Sequence, residues 1–157
     1  MNGSLFVKIE KILKNKLFEN AKLNIVLDNS IIKFDKTYFK KNDLGKLNLF
    51  DGKIFLNKKN EYIFNSKFSY IIANQKKFYR LFQIPKKNRI LLNDINFQIE
   101  KNLNTNILTI KNLEVNHKKN NHPTDQIITI LKDFNKNDKE IKTWINLKSF
   151  INKIFQS

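Results

Sequence analysis

The stretch from Leu92 to Val115 constrains the fold more than any other part of the chain, because it contains two alternating runs joined by a polar connection. Ile95, Phe97 and Ile99 are separated by polar residues, which is the periodicity of a β-strand with one solvated face. Residues 101–106 are rich in asparagine and favour a turn. We therefore expect an antiparallel strand pair whose apolar face is covered by another layer of the protein.

The second of these strands changes phase. Leu108 and Ile110 alternate in one phase, whereas Leu113 and Val115 alternate in the opposite phase. In a regular strand, this change of phase would place Leu113 and Val115 on the other face of the sheet. One extra residue in the strand, a β-bulge, returns them to the original face. The sequence therefore predicts a β-bulge near Asn112.

Alternating runs also occupy most of residues 4–72. Residues 4–12 predict a first strand, and Asp28-Asn29 and Asp51-Gly52 predict two hairpin turns between apolar runs. Residues 57–60 and Asn65-Ser66 predict two further turns, while residues 35–43 predict a short edge strand or a loop. Strands joined by such short connections form an antiparallel meander, because parallel neighbours require much longer crossovers.

The periodicity becomes helical after the last of these strands. Asn74 is suited to cap a short helix in which Phe78, Leu81 and Phe82 share one face, and Ile84-Pro85 ends that helix. This helix is expected to lie across the sheet.

The C-terminal part of the sequence predicts two more helices. Residues 117–122 are wholly polar and predict a linker, and the first helix begins after Pro123. Its apolar side comprises Ile127, Ile128, Leu131 and Phe134. Asp138 is suited to cap the last helix, which is amphipathic. The apolar residues of that helix are Ile141, Trp144, Ile145, Ile151, Ile154 and Phe155.

These elements predict an α+β protein. Its sheet is expected to be a strongly twisted, groove-like antiparallel β-meander with one short helix inserted mid-chain and two C-terminal amphipathic helices. We divide the chain into a sheet module over residues 1–116, with the helix at about 74–83, a linker over 117–122 and a two-helix segment over 123–157. A length of 157 residues with 41% hydrophobic content is sufficient for one core.

The net charge of +16 favours a polyanionic partner, either nucleic acid or an anionic membrane surface. Arginine occurs only at Arg80 and Arg89, however, and the bias toward lysine, asparagine, isoleucine and phenylalanine is what A+T-rich coding produces. Specific readers of nucleic acid use the bidentate fork of arginine. We therefore expect no specific nucleic-acid recognition.

The sequence also bears on location. No apolar run reaches the length of a transmembrane helix, and residues 1–8 lack the pattern of a signal peptide. We therefore expect either a cytoplasmic protein or part of a longer chain whose targeting segment lies upstream. Cysteine is absent, which excludes thiolate metal sites and a cysteine nucleophile but leaves the redox compartment open.

Residues with catalytic chemistry are explained better by structural roles. The sequence has no glycine-rich phosphate loop and no nucleophile elbow. His117 and His122 flank a stretch of lysine and asparagine that offers no further metal ligand. Most of the aspartates that could act as an acid or base lie at predicted turns, where aspartate is a favoured residue. These aspartates are Asp28, Asp35, Asp43, Asp51 and Asp94. We expect neither an enzyme nor a bound cofactor or metal.

Many of the 14 phenylalanines alternate with lysine on the predicted strands. This pattern suits a stacking platform for single-stranded nucleic acid, but its ordinary meaning is one apolar sheet face with a lysine-coated back. We expect the apolar face to be wider than one short helix covers, and uncovered apolar surface marks a ligand such as an acyl chain. The expected groove residues are Leu47, Leu49, Ile54, Leu56, Tyr62, Phe64, Phe68, Tyr70, Ile95, Phe97 and Ile99.

Two basic segments are candidates for contact with lipid headgroups. Lys86, Lys87 and Arg89 form a basic loop that we expect at the rim of the groove. In the last helix, basic residues accompany aromatic ones, which suits a membrane surface, although docking of the same stripe onto the sheet edge is the commoner arrangement. The membrane-surface candidates are Trp144, Lys148 and Phe155.

Three segments together resemble a known family: residues 27–34 (LDNSIIKF), residues 45–52 (GKLNLFDG) and residues 78–89 (FYRLFQIPKKNR). They are similar to the C-terminal part of AsmA-like proteins of bacteria with small, A+T-rich genomes, over a region from about Ala21 to the end. The resemblance implies a periplasmic envelope protein, anchored in the inner membrane by an N-terminal segment, whose long twisted sheet forms a hydrophobic groove. TamB-type relatives are linked to phospholipid movement toward the outer membrane and to envelope assembly.

The resemblance carries no functional residue over, because the family works through a groove surface, and this chain departs from the family by lacking the anchor and by being far shorter. The resulting hypothesis is a non-enzymatic module for phospholipid transport or outer-membrane assembly, with phospholipid or acyl chains and the remainder of a longer chain as partners. Two alternatives stay open: a sheet that binds single-stranded nucleic acid, and a structural module that pairs through its sheet edges.

Overall fold

One antiparallel sheet of eight strands dominates the computed structural model, which describes residues 2–117, 129–133 and 144–156. The strands are β1 (Gly3–Ile9), β2 (Asn20–Asp28), β3 (Ile31–Phe34), β4 (Thr37–Lys41), β5 (Gly45–Leu56), β6 (Tyr62–Ile72), β7 (Leu92–Asn102) and β8 (Leu108–His117). The helices are α1 (Gln75–Phe82), the 3₁₀ turn Lys86–Asn88 and α2 (Trp144–Gln156), and residues 129–133 are also helical.

The strands follow one another across the sheet as a meander. Every neighbouring pair is antiparallel, and β3 and β4 share the place between β2 and β5. The inserted helix α1 connects β6 to its neighbour β7 without changing the order of the strands. The predicted α+β class, with an antiparallel sheet, a mid-chain helix and a C-terminal helix, is confirmed.

The first hairpin turn is confirmed one residue later than predicted. Asp28 pairs with Ile31, so the turn consists of Asn29 and Ser30. Both residues have positive φ angles, 46° and 66°, as the tight turns of two-residue hairpins require.

The predicted edge strand or loop over residues 35–43 is instead an interior strand, β4. The chain breaks only at Asp35 and Lys36, where Lys36 has a φ of 48°, and then pairs with β2 and β5. The buried Thr37 Oγ1 accepts a hydrogen bond from the Asn24 amide at 3.2 Å. This bond satisfies a polar group at the break, so the polar segment can lie inside the sheet.

The predicted hairpin at Asp51-Gly52 is wrong, because these residues form a β-bulge within the continuous strand β5. The pairing with β6 shifts register between Phe50 and Lys53, and Asp51 has a φ of 53°. A residue of positive φ followed by glycine suits a bulge as well as a turn. The extra residue keeps Leu49 and Ile54 on the same face of the sheet.

The predicted turn at Asn65-Ser66 is also wrong, since β6 runs through it. Ser66 is buried opposite the bulge, and its hydroxyl donates a hydrogen bond to the Phe50 carbonyl at 3.1 Å. The serine therefore satisfies a carbonyl beside the bulge. The four short strands predicted over residues 44–72 are two long ones, β5 and β6.

Two local predictions are confirmed. The bulge in β8 lies at Asn112, which has a φ of 48° between the pairs Phe97–Leu113 and Gln98–Lys111. Asn74 caps α1, because its side chain accepts a hydrogen bond from the Lys77 amide at 3.0 Å.

The C-terminal predictions are described only in part. Of the predicted linker, His117 ends β8, and residues 118–122 lie outside the described residues. Of the first predicted helix, residues 129–133 are helical, and Phe134 lies outside the described residues, as do Asp138 and Ile141 of the second. Of that second helix, α2 is described, and its predicted apolar residue Ile145 is 76% exposed.

The buried core lies between one end of the sheet and the helices. Phe78 and Phe82 of α1 and Phe150, Ile154 and Phe155 of α2 pack over sheet residues in this core. Its sheet residues include Tyr70, Leu92, Ile95, Ile110 and Leu113.

Candidate functional site

One face of the sheet is largely apolar, with Lys101, Thr37 and Ser66 as polar residues on it. Residues directly opposed in antiparallel strands share a face, and the register opposes Leu47 to Tyr70, Tyr70 to Ile95, and Phe68 to Phe97. By the same pairing and the alternation along each strand, all eleven groove residues predicted from the sequence lie on this apolar face.

Among the residues that the structure describes, the helices cover one end of the apolar face. Among the predicted groove residues, Tyr70 and Ile95 belong to the core beneath the helices, Leu49 and Phe68 are also buried, and Leu47, Phe97 and Ile99 are half-buried. At the other end, Ile54 and Phe64 are half-buried, while Leu56 and Tyr62 are 49% and 51% exposed. The apolar face is therefore partly open to solvent.

A cavity of about 280 Å³ lies between the covered end and the helices. Its sheet wall includes Leu47, Tyr70, Phe97 and Ile110, and its opposite wall is made by α1 and α2. The helical residues of this wall are Phe78, Phe82, Leu147, Phe150, Ile151 and Ile154. The wall residues that the structure describes present no polar surface, so the cavity suits an apolar group.

A row of phenylalanines connects the cavity to the open end of the apolar face. The ring centroids of Phe97 and Phe68 are 5.0 Å apart, those of Phe68 and Phe64 are 6.5 Å apart, and those of Phe64 and Phe34 are 5.8 Å apart. Phe97 lines the cavity, whereas Phe34 and Phe64 are half-buried at the open end. Phe68 is buried, so the rings of this row that an extended apolar ligand can contact are those of the half-buried Phe34, Phe64 and Phe97.

Leu17 and Phe18 lie in the connection between β1 and β2 and contribute to the cavity wall, although neither was predicted as a site residue. The Asn15 side chain accepts hydrogen bonds from both of their amides, at 2.8 and 2.9 Å, and so fixes their backbone. Two adjacent apolar residues in a segment of lysine and asparagine were the available signal. Leu108, Ile110 and Leu113 of β8 and Leu147 and Phe150 of α2 also line the cavity, and none of them was predicted to be a groove residue.

Tyr70 is the one cavity residue with a hydroxyl group. Its hydroxyl is buried and has no hydrogen-bond partner among the residues that the structure describes. Burial, aided by the negative charge of Asp43, raises the pKa of this hydroxyl above its ordinary value. Because the other wall residues are apolar, the cavity suits an apolar ligand despite this one hydroxyl.

The predicted basic rim is divided. Lys86 and Lys87 are exposed in the 3₁₀ turn that follows α1. The Arg89 guanidinium instead donates a hydrogen bond to the Ile84 carbonyl at 3.1 Å and lies 5.4 Å from the ring centroid of Tyr79. Arg89 is exposed but contributes to local structure through these contacts, whereas Lys86 and Lys87 have no carboxylate within 4.0 Å among the described residues.

The membrane-surface candidates of the last helix are corrected by the structure. Phe155 is buried, with its ring 6.1 Å from that of Phe78, and Trp144 is half-buried with its ring 5.5 Å from that of Phe82. Lys148 is half-buried on the same helix, and its carbonyl accepts a hydrogen bond from Asn152. The apolar stripe of α2 docks on α1 and the sheet, because this contact removes apolar side chains from water.

Within residues 2–117, 129–133 and 144–156, no helix combines the length and apolar content that crossing a membrane requires. The same residues contain no group of three or more histidine, cysteine, aspartate or glutamate side chains that could hold a metal ion. The side chain of His117 and all of His122 lie outside the described residues.

Comparison of the chain with models of protein families, with curated proteins and with solved structures finds no match.

Proposed function

We propose that this protein is a non-enzymatic lipid-binding module that holds acyl chains on the apolar face of its sheet. The observation that supports this proposal is the apolar cavity of about 280 Å³, which continues as a row of aromatic rings toward the open end of the sheet. Ligand sites in proteins commonly measure about 300 to 1,000 Å³, so the cavity alone suits a short apolar segment and the open end accommodates the rest.

Binding at such a site requires no chemical reaction, because burial of apolar surface supplies the free energy. Removing apolar surface from water contributes about 25 cal/mol per Å², so a few hundred Å² of contact with an acyl chain contributes several kcal/mol. A charged headgroup would remain in solvent, because the cavity offers it no hydrogen bond. The exposed Lys86 and Lys87 are candidates for contact with its phosphate.

In its biological setting, we propose that the module is AsmA-like and acts in the periplasm of a bacterial envelope, tethered to the inner membrane by an N-terminal segment outside this chain. It would contribute there to phospholipid transport or outer-membrane assembly. The proposal is supported by the antiparallel meander and its partly open apolar face, together with the three segments that resemble AsmA-like proteins.

A titration with a fluorescent fatty acid tests lipid binding. Phe97→Asp places a charge in the cavity wall and Phe64→Asp places one at the open end, and each should weaken binding at least about tenfold, since 1.4 kcal/mol of lost affinity is tenfold. Phe55→Asp is the matched control, because Phe55 lies on the opposite face beside Ile63. Equal affinity in all four proteins, or no uptake by the wild type, would contradict the proposal.

A second candidate function, pairing through the sheet edge, is favoured by β1. Among the described residues β1 pairs only with β2, so its outer edge carries backbone groups that another strand could pair with. Sedimentation velocity over a range of concentrations tests this alternative. Edge pairing predicts assembly that Leu5→Lys reduces, whereas a lipid carrier without edge pairing stays monomeric in both forms.

A further inference from the structure

The face of the sheet opposite the apolar face is electrostatically divided. Over β2 to β6 it carries Lys22, Lys33, Lys40, Lys46, Lys53 and Lys67. Over β7 and β8 it carries Asp94, Glu100 and Glu114 with Lys111. We call the basic part, over β2 to β6, the lysine face.

Lysines on this face stand directly opposite one another. The register pairs Lys33 with Lys53, Lys40 with Lys46, and Lys22 with Lys8 of the edge strand. Like charges in directly opposed positions destabilise a sheet, so this arrangement weakens the isolated fold. An anionic partner would relieve that repulsion.

Few carboxylates neutralise these lysines. Lys33 pairs with Asp28 at 2.6 Å, and Lys67 pairs with Asp51 at 2.8 Å. In the part of the chain that the structure describes, Lys22, Lys40, Lys46 and Lys53 have no carboxylate within 4.0 Å. The lysine face therefore retains an excess of positive charge available to a partner.

The aromatic residues on this face indicate which anion fits. Lys22 lies 5.0 Å from the ring centroid of Phe6, Lys46 lies 4.3 Å from that of Tyr38, and Lys53 lies 5.3 Å from that of Phe55. Binding of single-stranded nucleic acid needs free ring faces on which bases stack. Here lysine ammonium groups already occupy ring faces, which favours a partner that presents phosphate groups without bases.

Exposed apolar side chains accompany the lysines. Phe6 and Phe50 on the same face are 59% and 50% exposed, and Ile71 at its border is 49% exposed. Lysines beside exposed phenylalanines are typical of surfaces that lie in the headgroup region of a bilayer. Because an open sheet is an extended surface, several lysines can meet lipid phosphates at once.

We propose that the lysine face docks the protein on an anionic lipid bilayer, with its phosphates as the recognised groups. This proposal is independent of acyl binding, because the two surfaces lie on opposite faces of the sheet. It assigns a role to a charge pattern that costs stability within the isolated protein.

Flotation with vesicles tests the proposal. The wild type should float with vesicles of phosphatidylglycerol and phosphatidylcholine in equal parts but not with phosphatidylcholine alone. Raising the salt from about 0.1 M to about 1 M should release it, because the screening length falls from about 10 Å to about 3 Å. Lys46→Gln with Lys53→Gln should weaken binding about 25-fold, since each lysine near an anionic surface contributes about fivefold, or about 1 kcal/mol.

The control removes the same charge from the helical side of the protein. Lys76→Gln with Lys132→Gln changes two exposed lysines of the helices and should bind as the wild type does. The lysine-face variant removes repulsion and should remain folded by circular dichroism.

Three results would overturn the proposal. The first is no preference for the anionic vesicles, and the second is an equal loss in both double-lysine variants, which would indicate an effect of net charge alone. The third is preferential binding of fluorescent oligothymidylate that Phe50→Ala weakens, which would identify the face as a stacking platform for nucleic acid.

Discussion

The phenyl rings of Phe68 and Phe97 are nearly parallel across the pair of strands β6 and β7, with their centroids 5.0 Å apart and their planes inclined by 8°. Phe68 is buried, whereas Phe97 is half-buried and lines the apolar cavity. This stack lies between the part of the sheet that the helices cover and the part that they leave open. It therefore links the two parts of the proposed acyl site.

The Tyr70 hydroxyl has no hydrogen-bond partner among the described residues, and we expect its removal to stabilise the protein. A buried polar group without a hydrogen bond costs about 1 to 3 kcal/mol, so Tyr70→Phe should raise the free energy of unfolding by about that amount. Urea denaturation of the wild type and the variant measures this difference.

Tyr79→Phe is the matched control for Tyr70→Phe. The Tyr79 hydroxyl donates a hydrogen bond to the Ile90 carbonyl, and it also lies 3.1 Å from Gln75 Oε1. Its removal should therefore destabilise the protein. A loss of stability in Tyr70→Phe of the same size as in Tyr79→Phe would show that Tyr70 has a partner in solution.

Because of Tyr70 and Tyr79, we expect the folded protein to lose stability at alkaline pH. Burial raises the pKa of Tyr70, and it also raises the pKa of Tyr79 against the opposing effect of Arg89. Because the folded state retains these protons longer than the unfolded chain, their contribution is complete below about pH 10, the ordinary tyrosine value, and is lost as the pH rises above it.

Urea denaturation between about pH 9 and about pH 11 tests this dependence on either side of the ordinary tyrosine pKa. The free energy of unfolding should fall over that range, and the fall should be smaller in Tyr70→Phe. Tyr62→Phe provides the control, because it removes the hydroxyl of a tyrosine that is exposed. A fall of the same size in all three proteins would exclude a contribution from Tyr70.

We expect that position 45 does not tolerate even the methyl group of alanine in place of Gly45. A Cβ atom at this residue would clash with the Ile71 carbonyl oxygen and lie 2.9 Å from the Tyr70 hydroxyl oxygen. Since a backbone carbonyl in a sheet cannot move aside alone, Gly45→Ala should cost about 1 to 3 kcal/mol of stability. Thermal denaturation checks this, with Gly3→Ala as the control because a Cβ atom there meets no atom within 4 Å.

The features that were predicted correctly from the sequence are those determined by residues close together in the chain. The cap at Asn74 and the bulge at Asn112 were both identifiable, because a capping side chain and a phase change act over a few positions. The alternation along β7 likewise placed Ile95, Phe97 and Ile99 on one face.

The error at Asp51-Gly52 has a physical reason. Positive φ at Asp51 is compatible with a turn and with a bulge, and the choice depends on whether the flanking segments pair with each other or with other strands. Here the flanking segments of β5 both pair with β6, which is a contact between distant residues. The phase change between Leu49 and Ile54 was the one local signal of the bulge.

The cavity was not predictable from local patterns. Its walls combine Leu17 from a loop, Phe78 from α1, Leu147 from α2 and the sheet, and no periodicity within one segment determines how these elements meet. The amphipathic pattern of α2 was compatible with a membrane and with the protein core. Burial of Phe155 against Phe78 and Tyr79 resolves that choice in favour of docking.

The most direct test of the acyl site uses Trp144, the single tryptophan of the chain, which lies one helical turn before the cavity residue Leu147. Its fluorescence should be quenched saturably by a fatty acid brominated on its acyl chain, but not by the unbrominated acid. Filling the cavity with Ile110→Phe and Leu147→Phe should abolish the quenching while the protein stays folded. Absence of quenching in the wild type, or equal quenching in the filled variant, would contradict acyl binding in this cavity.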